Sequence, residues 1–445
     1  MGHKIVILGA GESGIGAAIL CKKLGYDLFV SDAGVIGEKY LKELAAYEIP
    51  YEQGGHDERL VLDADEVVKS PGIPHAHPLV RRIQAAGIPI ISDIELAFRH
   101  KGASRIIAVT GSNGKTTTAS LIYHICRHAG LECALVGNIG LSIARQTALD
   151  PKPLYVVEVS SFQLDDIQTF RPDVAVLTNI TEDHLDRYDH NFENYISAKF
   201  RITENQTKND HFIYCADDPV TMQFKDRYKI QSNQLPFTMN RELPKGAYIM
   251  NDQMTVGGND PLTMGVLDFS LKGKHNQFNT MAACLAATVM DIRKEKIRDA
   301  VTKFESLEHR MEKVATVRGV EFINDSKATN VNSTWYALES MTKPVVLILG
   351  GVDKGNDYAL MEELVREKVK AIVCLGKDNT AIKHAFGKST AFIVDARTAA
   401  EAVQAAFRLS EKGDVVLLSP ACASFDLFKN YEDRGKQFKQ AVHEL

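Results

Sequence analysis

Hydrophobic and polar positions change period along this chain, and each change marks an element. Residues 4–8, Lys-Ile-Val-Ile-Leu, form a short apolar run of the kind that becomes a strand buried on both faces. Helical spacing follows over 15–24, then a second strand at 27–30. Residues 66–73 read as a strand running into a Pro-Gly turn. An apolar run at 106–109, a glycine-bearing stretch and a helical pattern at 119–128 repeat the theme. Apolar runs at 154–161 and 174–177 predict further strands. Over 192–202 the period is 3.6, which places Phe192, Tyr195, Ile196, Lys199 and Thr203 on one face. Residues 211–270 are polar and turn-rich, with short strand candidates such as 248–250. A polar start at 274–279 opens an Ala-rich helix over 280–291. Beyond 307, strand candidates at 345–349, 371–375, 391–394 and 415–418 alternate with helical patterns. Regular alternation of this kind predicts α/β domains with mostly parallel sheets.

Length turns that pattern into a domain count. At 445 residues the chain is expected to hold about three domains, 1–93, 94–306 and 307–445. Hydrophobic content of 45% and charged content of 24% are those of an ordinary globular protein. A net charge of −5 gives no reason to expect nucleic acid, so any positive charge for anionic substrates must be local. Seven scattered cysteines, none in a CxxC pair, suggest reduced thiols and a cytoplasmic setting. The apolar run at 5–8 is too short for a signal-peptide core. No stretch approaches the ~20 apolar residues of a membrane helix, so membrane insertion is not expected.

The candidate chemistry centres on Thr110-Gly111-Ser112-Asn113-Gly114-Lys115-Thr116-Thr117-Thr118. A strand, a glycine loop and a helix start make a phosphate cradle. The loop N–H groups face the anion, Lys115 adds a point charge, and a hydroxyl reaches Mg²⁺. The long P-loop pattern has a Gly where Val109 stands, so this is the shorter Gly-x-x-Gly-Lys-Thr form. Nearer the N-terminus, Gly9-Ala10-Gly11-Glu12-Ser13-Gly14 with an acid at Asp32 matches the dinucleotide fingerprint. Taken alone it suits NAD, FAD or another diphosphate on a helix N-terminus. Glu158 sits inside an apolar run, where a carboxylate is costly unless paired or metal-bound. The cluster from Thr178 to Asp186 at a strand end suits metal or phosphate chemistry, although His184 alone is more often structural. Lys199, central on an apolar face, either snorkels out or works as something other than a solvated ammonium. Asn276 and Asn279 cap a helix or read a base edge, and Asp325 suits either a ligand or a solvated loop. In the last domain the polar loops after 345–349 and 415–418 belong at one sheet edge, where open α/β folds bind ligands.

The motifs TGSNGKTT (110–117), EVSSFQL (158–164), NITEDHLDRY (179–188), YISAKFRI (195–202), KGKHNQFN (272–279), EHRME (308–312), INDSKATN (323–330) and SPACASFDLFKNYEDRG (419–435) occur in this order. Together they resemble the Mur ligases of bacterial cell-wall synthesis, across essentially the whole chain. The SPGI turn (70–73) and the SPACASFD loop resemble the branch that adds D-glutamate to UDP-N-acetylmuramoyl-L-alanine. Related folylpolyglutamate synthases share the central ATPase but not this N-terminal domain. Mur ligases that add a diamino acid carry Asp-Asn-Pro-Arg in the third domain, which is absent here.

The resemblance implies three domains: a Rossmann-like first domain for the UDP precursor, a central P-loop ATPase and a Rossmann-like third domain for D-glutamate. It implies an acyl-phosphate mechanism with ATP and two Mg²⁺ sites. ATP falls to Gly111, Ser112, Asn113, Gly114, Lys115, Thr116 and Thr117, with Asn276 and Asn279 near adenine and Arg310 and Asp325 near the ribose and phosphates. Thr116, Glu158, His184 and Lys199 are the implied metal ligands, Lys199 as a CO₂-derived carbamate. Burial would favour the neutral amine that carbamylation needs. Gly14, Ile15, Asp32, Ser70, Pro71, Gly72 and Asn138 would line the precursor's path. Lys327, Thr329, Lys354, Ser424, Phe425 and Tyr431 would hold D-glutamate, the two lysines supplying charge for a dicarboxylate. The family often has Leu at the position of Phe425 and Phe at that of Tyr431. A cytoplasmic monomer is expected. A nicotinamide-dependent oxidoreductase would use the N-terminal fingerprint but leaves the phosphate loop, Lys199 and the third domain without a role. A non-catalytic nucleotide-binding module leaves the metal and amino-acid positions idle.

Overall fold

Three sheets account for the strands of this computed structural model, which describes residues 3–258, 260–305, 308–353 and 355–445. The chain divides into two compact units, Met1–Phe269 with Asn276–Phe304, and Ser270–His275 with Glu305–Leu445. The expected boundary at 306/307 and the expected ligand Lys354 lie outside the described residues.

The first unit contains two sheets. The N-terminal one comprises β1 (Lys4–Leu8), β2 (Asp27–Asp32), β3 (Tyr51–Gln53), β4 (Glu66–Lys69) and β5 (Ile90–Ile91) in the order β3-β2-β1-β4-β5, with every pairing parallel. Ile5, Val6, Ile7 and Leu8 are all buried, which is why β1 reads as a continuous apolar run. The strand order reverses at β1, between β2 and β4, so a crevice opens at their carboxyl ends. Helix Glu12–Lys23 starts there. A Cβ on Gly14 would lie 1.8 Å from the Gly9 carbonyl oxygen, so only glycine lets this helix approach β1.

The second sheet has nine strands: β6 (Arg105–Thr110), β7 (Cys133–Gly137), β8 (Leu154–Glu158), β9 (Val174–Leu177), β10 (His211–Cys215), β11 (Asn233–Thr238), β12 (Ala247–Met250), β13 (Gln253–Val256) and β14 (Leu262–Gly265). Their order is β14-β13-β12-β11-β10-β9-β6-β8-β7. Only β12-β13 and β13-β14 pair antiparallel. The polar stretch 211–270 therefore builds one edge of this sheet. Its strands are short, and β12 to β14 bury alternate residues, a weaker sequence signal than the all-apolar central strands.

The second unit holds β15 (Glu312–Val317), β16 (Val320–Asn324), β17 (Val345–Leu349), β18 (Val369–Leu375), β19 (Phe392–Ala396) and β20 (Val415–Leu418), ordered β15-β16-β20-β17-β18-β19. β15 and β16 form an antiparallel hairpin, and the other pairings are parallel. That hairpin escapes the sequence reading because β15 is half-exposed and carries charge at Glu312 and Lys313. All seven cysteines are buried and unpaired. Among the described residues, no helix is long and apolar enough to cross a membrane.

Candidate active site

Parallel register brings the central site together. β6 lies between β8 and β9, with Val109 opposite Glu158 and Thr110 opposite Leu177. The loop after β6, the last residue of β8 and the segment after β9 therefore share one carboxyl edge, where the strand order reverses.

The phosphate loop is laced to its neighbour. Ser112 N donates to Asn179 O (2.9 Å) and Asn113 N to Asn179 Oδ1 (3.0 Å), while Thr178 Oγ1 donates to Asn113 O (2.6 Å). Gly111 has φ +144°, and a Cβ there would sit 1.9 Å from Thr178 Oγ1. Helix Lys115–His128 begins at Lys115, earlier than its apolar pattern, because the threonines of its first turns are themselves buried. The Lys115 Nζ turns back to donate to the carbonyls of Gly111 and Ser112, 2.8 Å each.

Lys199 lies on helix Phe192–Phe200, and Tyr195, Ile196, Lys199 and Thr203 are buried as their common face predicts. It does not snorkel: Lys199 is 1% exposed. Its Nζ donates to Gly111 O (2.7 Å) and stands 4.5 Å from the Tyr195 ring centroid. Lys199 and Lys115 thus share one carbonyl. Burial, reinforced by the Lys115 charge, holds the Lys199 amine well below the ordinary lysine value, against the pull of Asp183 and Asp165. Glu158 is 1% exposed and accepts from Asn138 Nδ2 through Oε1 (2.9 Å). Asn138 and Glu158, expected on the precursor and metal sides respectively, are therefore in contact. His184 sits in the left-handed region (φ 53°), with its ring edge-on to Phe162 at 5.1 Å. Among the described residues no three His, Cys, Asp or Glu side chains converge as a preformed metal cage. Mg²⁺ sites that lean on substrate phosphates need no such cage.

Asn276 and Asn279 fall inside helix Lys274–Val289, whose start precedes the expected 280. They bond to each other (3.2 Å), and Asn279 Oδ1 accepts from Thr118 Oγ1 (3.2 Å). Asn279 thus contacts the phosphate-loop helix through its side chain, with Asn276 bonded behind it. At the N-terminal crevice Asp32 accepts from Ala10 N (2.6 Å) and Gly34 N (2.7 Å). Ser70 Oγ reaches Gly9 O at 3.3 Å. Gly14, Ile15, Asp32 and Ser70 thus gather on one edge.

In the second unit, β20 lies between β16 and β17, so the loops after all three share an edge. Val352 bridges Ala423 there, joining two of those loops. Asp325 accepts from Ser419 Oγ (2.8 Å) and Met311 N (3.2 Å). Burial pushes its carboxyl up to about 6, a rise that Arg310 and these donors moderate. Lys327 Nζ stands 5.3 Å from the Tyr431 ring centroid, so these two expected ligands meet. Ser424 is buried, whereas Thr329 is exposed and Phe425 is 72% exposed.

The sequence reading passed over Arg434, which is 1% exposed. It donates to the carbonyls of Ser326, Gly350 and Cys422, and so ties all three loops together. It also passed over Lys69, Asp166 and Arg187. Lys69 carried a usable signal, a charge within an apolar run, the same signal that singled out Glu158.

Comparison with known proteins covers the whole chain. Residues 3–92 match the model of the MurD-like N-terminal domain of Mur ligases, 109–287 the Mur ligase middle domain and 309–422 the Mur ligase glutamate ligase domain. A UDP-N-acetylmuramoylalanine–D-glutamate ligase of Bacteroides fragilis is 53% identical over 443 residues, 99% of this chain and 100% of its own. A counterpart in Christiangramia forsetii is 52% identical over the full length of both. Among solved structures, the UDP-N-acetylmuramate-alanine ligase of Thermotoga maritima has a TM-score of 0.62 at 18% identity, covering 99% of both chains. A pseudomurein peptide ligase of Methanothermus fervidus has 0.63 at 20%, also over 99% of both. At these identities the structures show the shared fold.

Proposed function

The chain belongs to the Mur ligase family, and on that footing we propose how its residues carry out one reaction. It is an ATP-dependent ligase of peptidoglycan precursor synthesis that joins D-glutamate to UDP-N-acetylmuramoyl-L-alanine. A carboxylate is a poor electrophile. The γ-phosphoryl group therefore moves first to an oxygen of the L-alanine carboxylate, and the bond to ADP breaks. The D-glutamate amine then attacks the acyl carbon and loses a proton. Phosphate leaves with one of the original carboxylate oxygens. Transfer between two anions is governed by positioning and charge neutralisation.

Residues 1–93 take the UDP precursor along Gly14, Ile15, Asp32, Ser70, Pro71 and Gly72, with Asn138 of the next domain completing its path. Residues 94–306 take ATP. Gly111, Ser112, Asn113, Gly114 and Thr117 supply the cradle, Lys115 and Thr116 hold the β- and γ-phosphates, and Asn276 and Asn279 lie at the adenine. Residues 307–445 supply Arg310 and Asp325 for the ribose and phosphates. They also take D-glutamate with Lys327, Thr329, Lys354, Ser424, Phe425 and Tyr431. Thr116 and Glu158 offer buried oxygen donors at one sheet edge, a set that suits Mg²⁺, and His184 and Lys199 would serve the second ion. When bound, Mg²⁺ neutralises phosphate charge. Lys199 acts as a carbamate: its neutral amine adds CO₂, forms an N–C bond, sheds a proton and gains two oxygens. The protein works as a cytoplasmic monomer.

The observation that carries this reading is the Lys199 amine, buried and bonded to the Gly111 carbonyl that Lys115 also engages. Position and environment suit a neutral nucleophile beside the transferred phosphoryl group. The mechanism is tested with precursor carrying ¹⁸O in its alanyl carboxylate. One labelled oxygen should appear in the released phosphate for each turnover. Loss of that oxygen to water, with none in the phosphate, would overturn the acyl-phosphate route.

A further inference from the structure

The turn after β4 is gripped by two cations, Lys69 of its own strand and Arg187 from the segment after β9. Lys69 ends β4 with its side chain 1% exposed. Its Nζ donates to Ile73 O (2.9 Å) and lies 2.9 Å from Asp166 Oδ2. Asp166 follows helix Ser161–Leu164, and its other oxygen meets His75 Nε2 at 2.8 Å. Its carbonyl accepts from Ser92 N (3.0 Å), which anchors the group to the backbone. Burial pushes the Asp166 carboxyl up, but His75 and Lys69 outweigh it and hold it below the usual range. On the other side, Arg187 donates to Pro71 O (3.0 Å) and Gly72 O (3.2 Å) while stacking over Phe162 at 4.3 Å. Three consecutive carbonyls, Pro71, Gly72 and Ile73, are thereby fixed. A trans peptide points its N–H opposite to its C=O. The Gly72 N–H therefore faces away from Arg187.

Net stability does not account for this arrangement, since a buried ion pair is seldom more stabilising than apolar residues of the same size. Both anchors instead follow central-site segments: Asp166 comes eight residues after Glu158, and Arg187 three after His184. We propose that Lys69, Asp166 and Arg187 are positioning residues for the UDP precursor, locking the Ser70-Pro71-Gly72 turn to the strand ends that carry the phosphate-transfer site. The proposal rests on the reading that the precursor runs along that turn.

Steady-state kinetics on the full-length enzyme test it. Lys69→Met with Asp166→Leu removes both buried charges together, so the double variant should unfold near the parent's temperature. Its KM for UDP-N-acetylmuramoyl-L-alanine should rise about tenfold, the scale of one lost charge-assisted hydrogen bond, with KM for ATP and D-glutamate unchanged. Arg187→Gln, at a half-exposed position, carries the same expectation and serves if the double variant fails to fold. Arg187→Lys should recover part of the loss. An unchanged precursor KM in a folded variant, or an equal rise in all three KM values, would overturn the proposal. A Cβ at Gly72 meets nothing within 4 Å, so Gly72→Val leaves the fold intact and projects into the precursor's path. If Gly72→Val leaves precursor KM unchanged, the underlying reading of the turn fails. If it raises KM while the anchor variants do not, only the positioning role fails.

Discussion

Lys199 concentrates the conflict between stability and function in one side chain. The folded protein holds its amine well below the ordinary lysine value, chiefly through burial. The unfolded chain binds a proton there that the folded chain does not. Stability therefore falls as pH drops from about 10 toward the depressed folded value. Lys199→Met removes that cost. In CO₂-free buffer it should unfold at a higher temperature than the parent near neutral pH, with the gap narrowing toward pH 10, and it should lose most turnover. A variant less stable than its parent, or one with near-normal turnover, would contradict the account. The helical period alone put Lys199 on the buried face beside Tyr195. What it did not reveal was the partner: the Gly111 carbonyl lies 88 residues away in sequence, a contact that exists only once β6 and the 192–200 helix pack.

At the scale of elements, the order β9-β6-β8 sets the site. It puts the ends of three parallel strands side by side, and each delivers one functional group or loop. These strands were legible because each has a continuous apolar run buried on both faces. The candidate at 248–250 became β12, but β13, β14 and the β15-β16 hairpin were not legible, because half-exposed strands dilute the apolar signal with charge and turn residues. The loop after β6 depends on close approach to Thr178 at Gly111. Gly111→Ala must displace the Thr178 hydroxyl and accept an unfavourable φ. We expect about 1–3 kcal/mol of destabilisation, the range for strain at a special backbone position, together with a large loss of ATP affinity. Calorimetry of nucleotide binding checks the second effect, and unaltered binding would mean the loop is not the cradle.

Across the whole molecule, one device recurs in each sheet. The strand order turns back at β1, at β6 and at β20, and polar loops gather at the carboxyl ends of those strands. The family resemblance made the three-domain plan readable from motifs alone. The ties that organise each edge were harder to read, since Arg434 and Lys69 act through backbone carbonyls that carry no residue signature. The central claim is that the chain carries out one ligation with D-glutamate as the incoming amine. Its most direct test is phosphate release from ATP and Mg²⁺ with UDP-N-acetylmuramoyl-L-alanine and a panel of amino acids. Release should depend on D-glutamate; equal release with L-lysine or meso-diaminopimelate would contradict it.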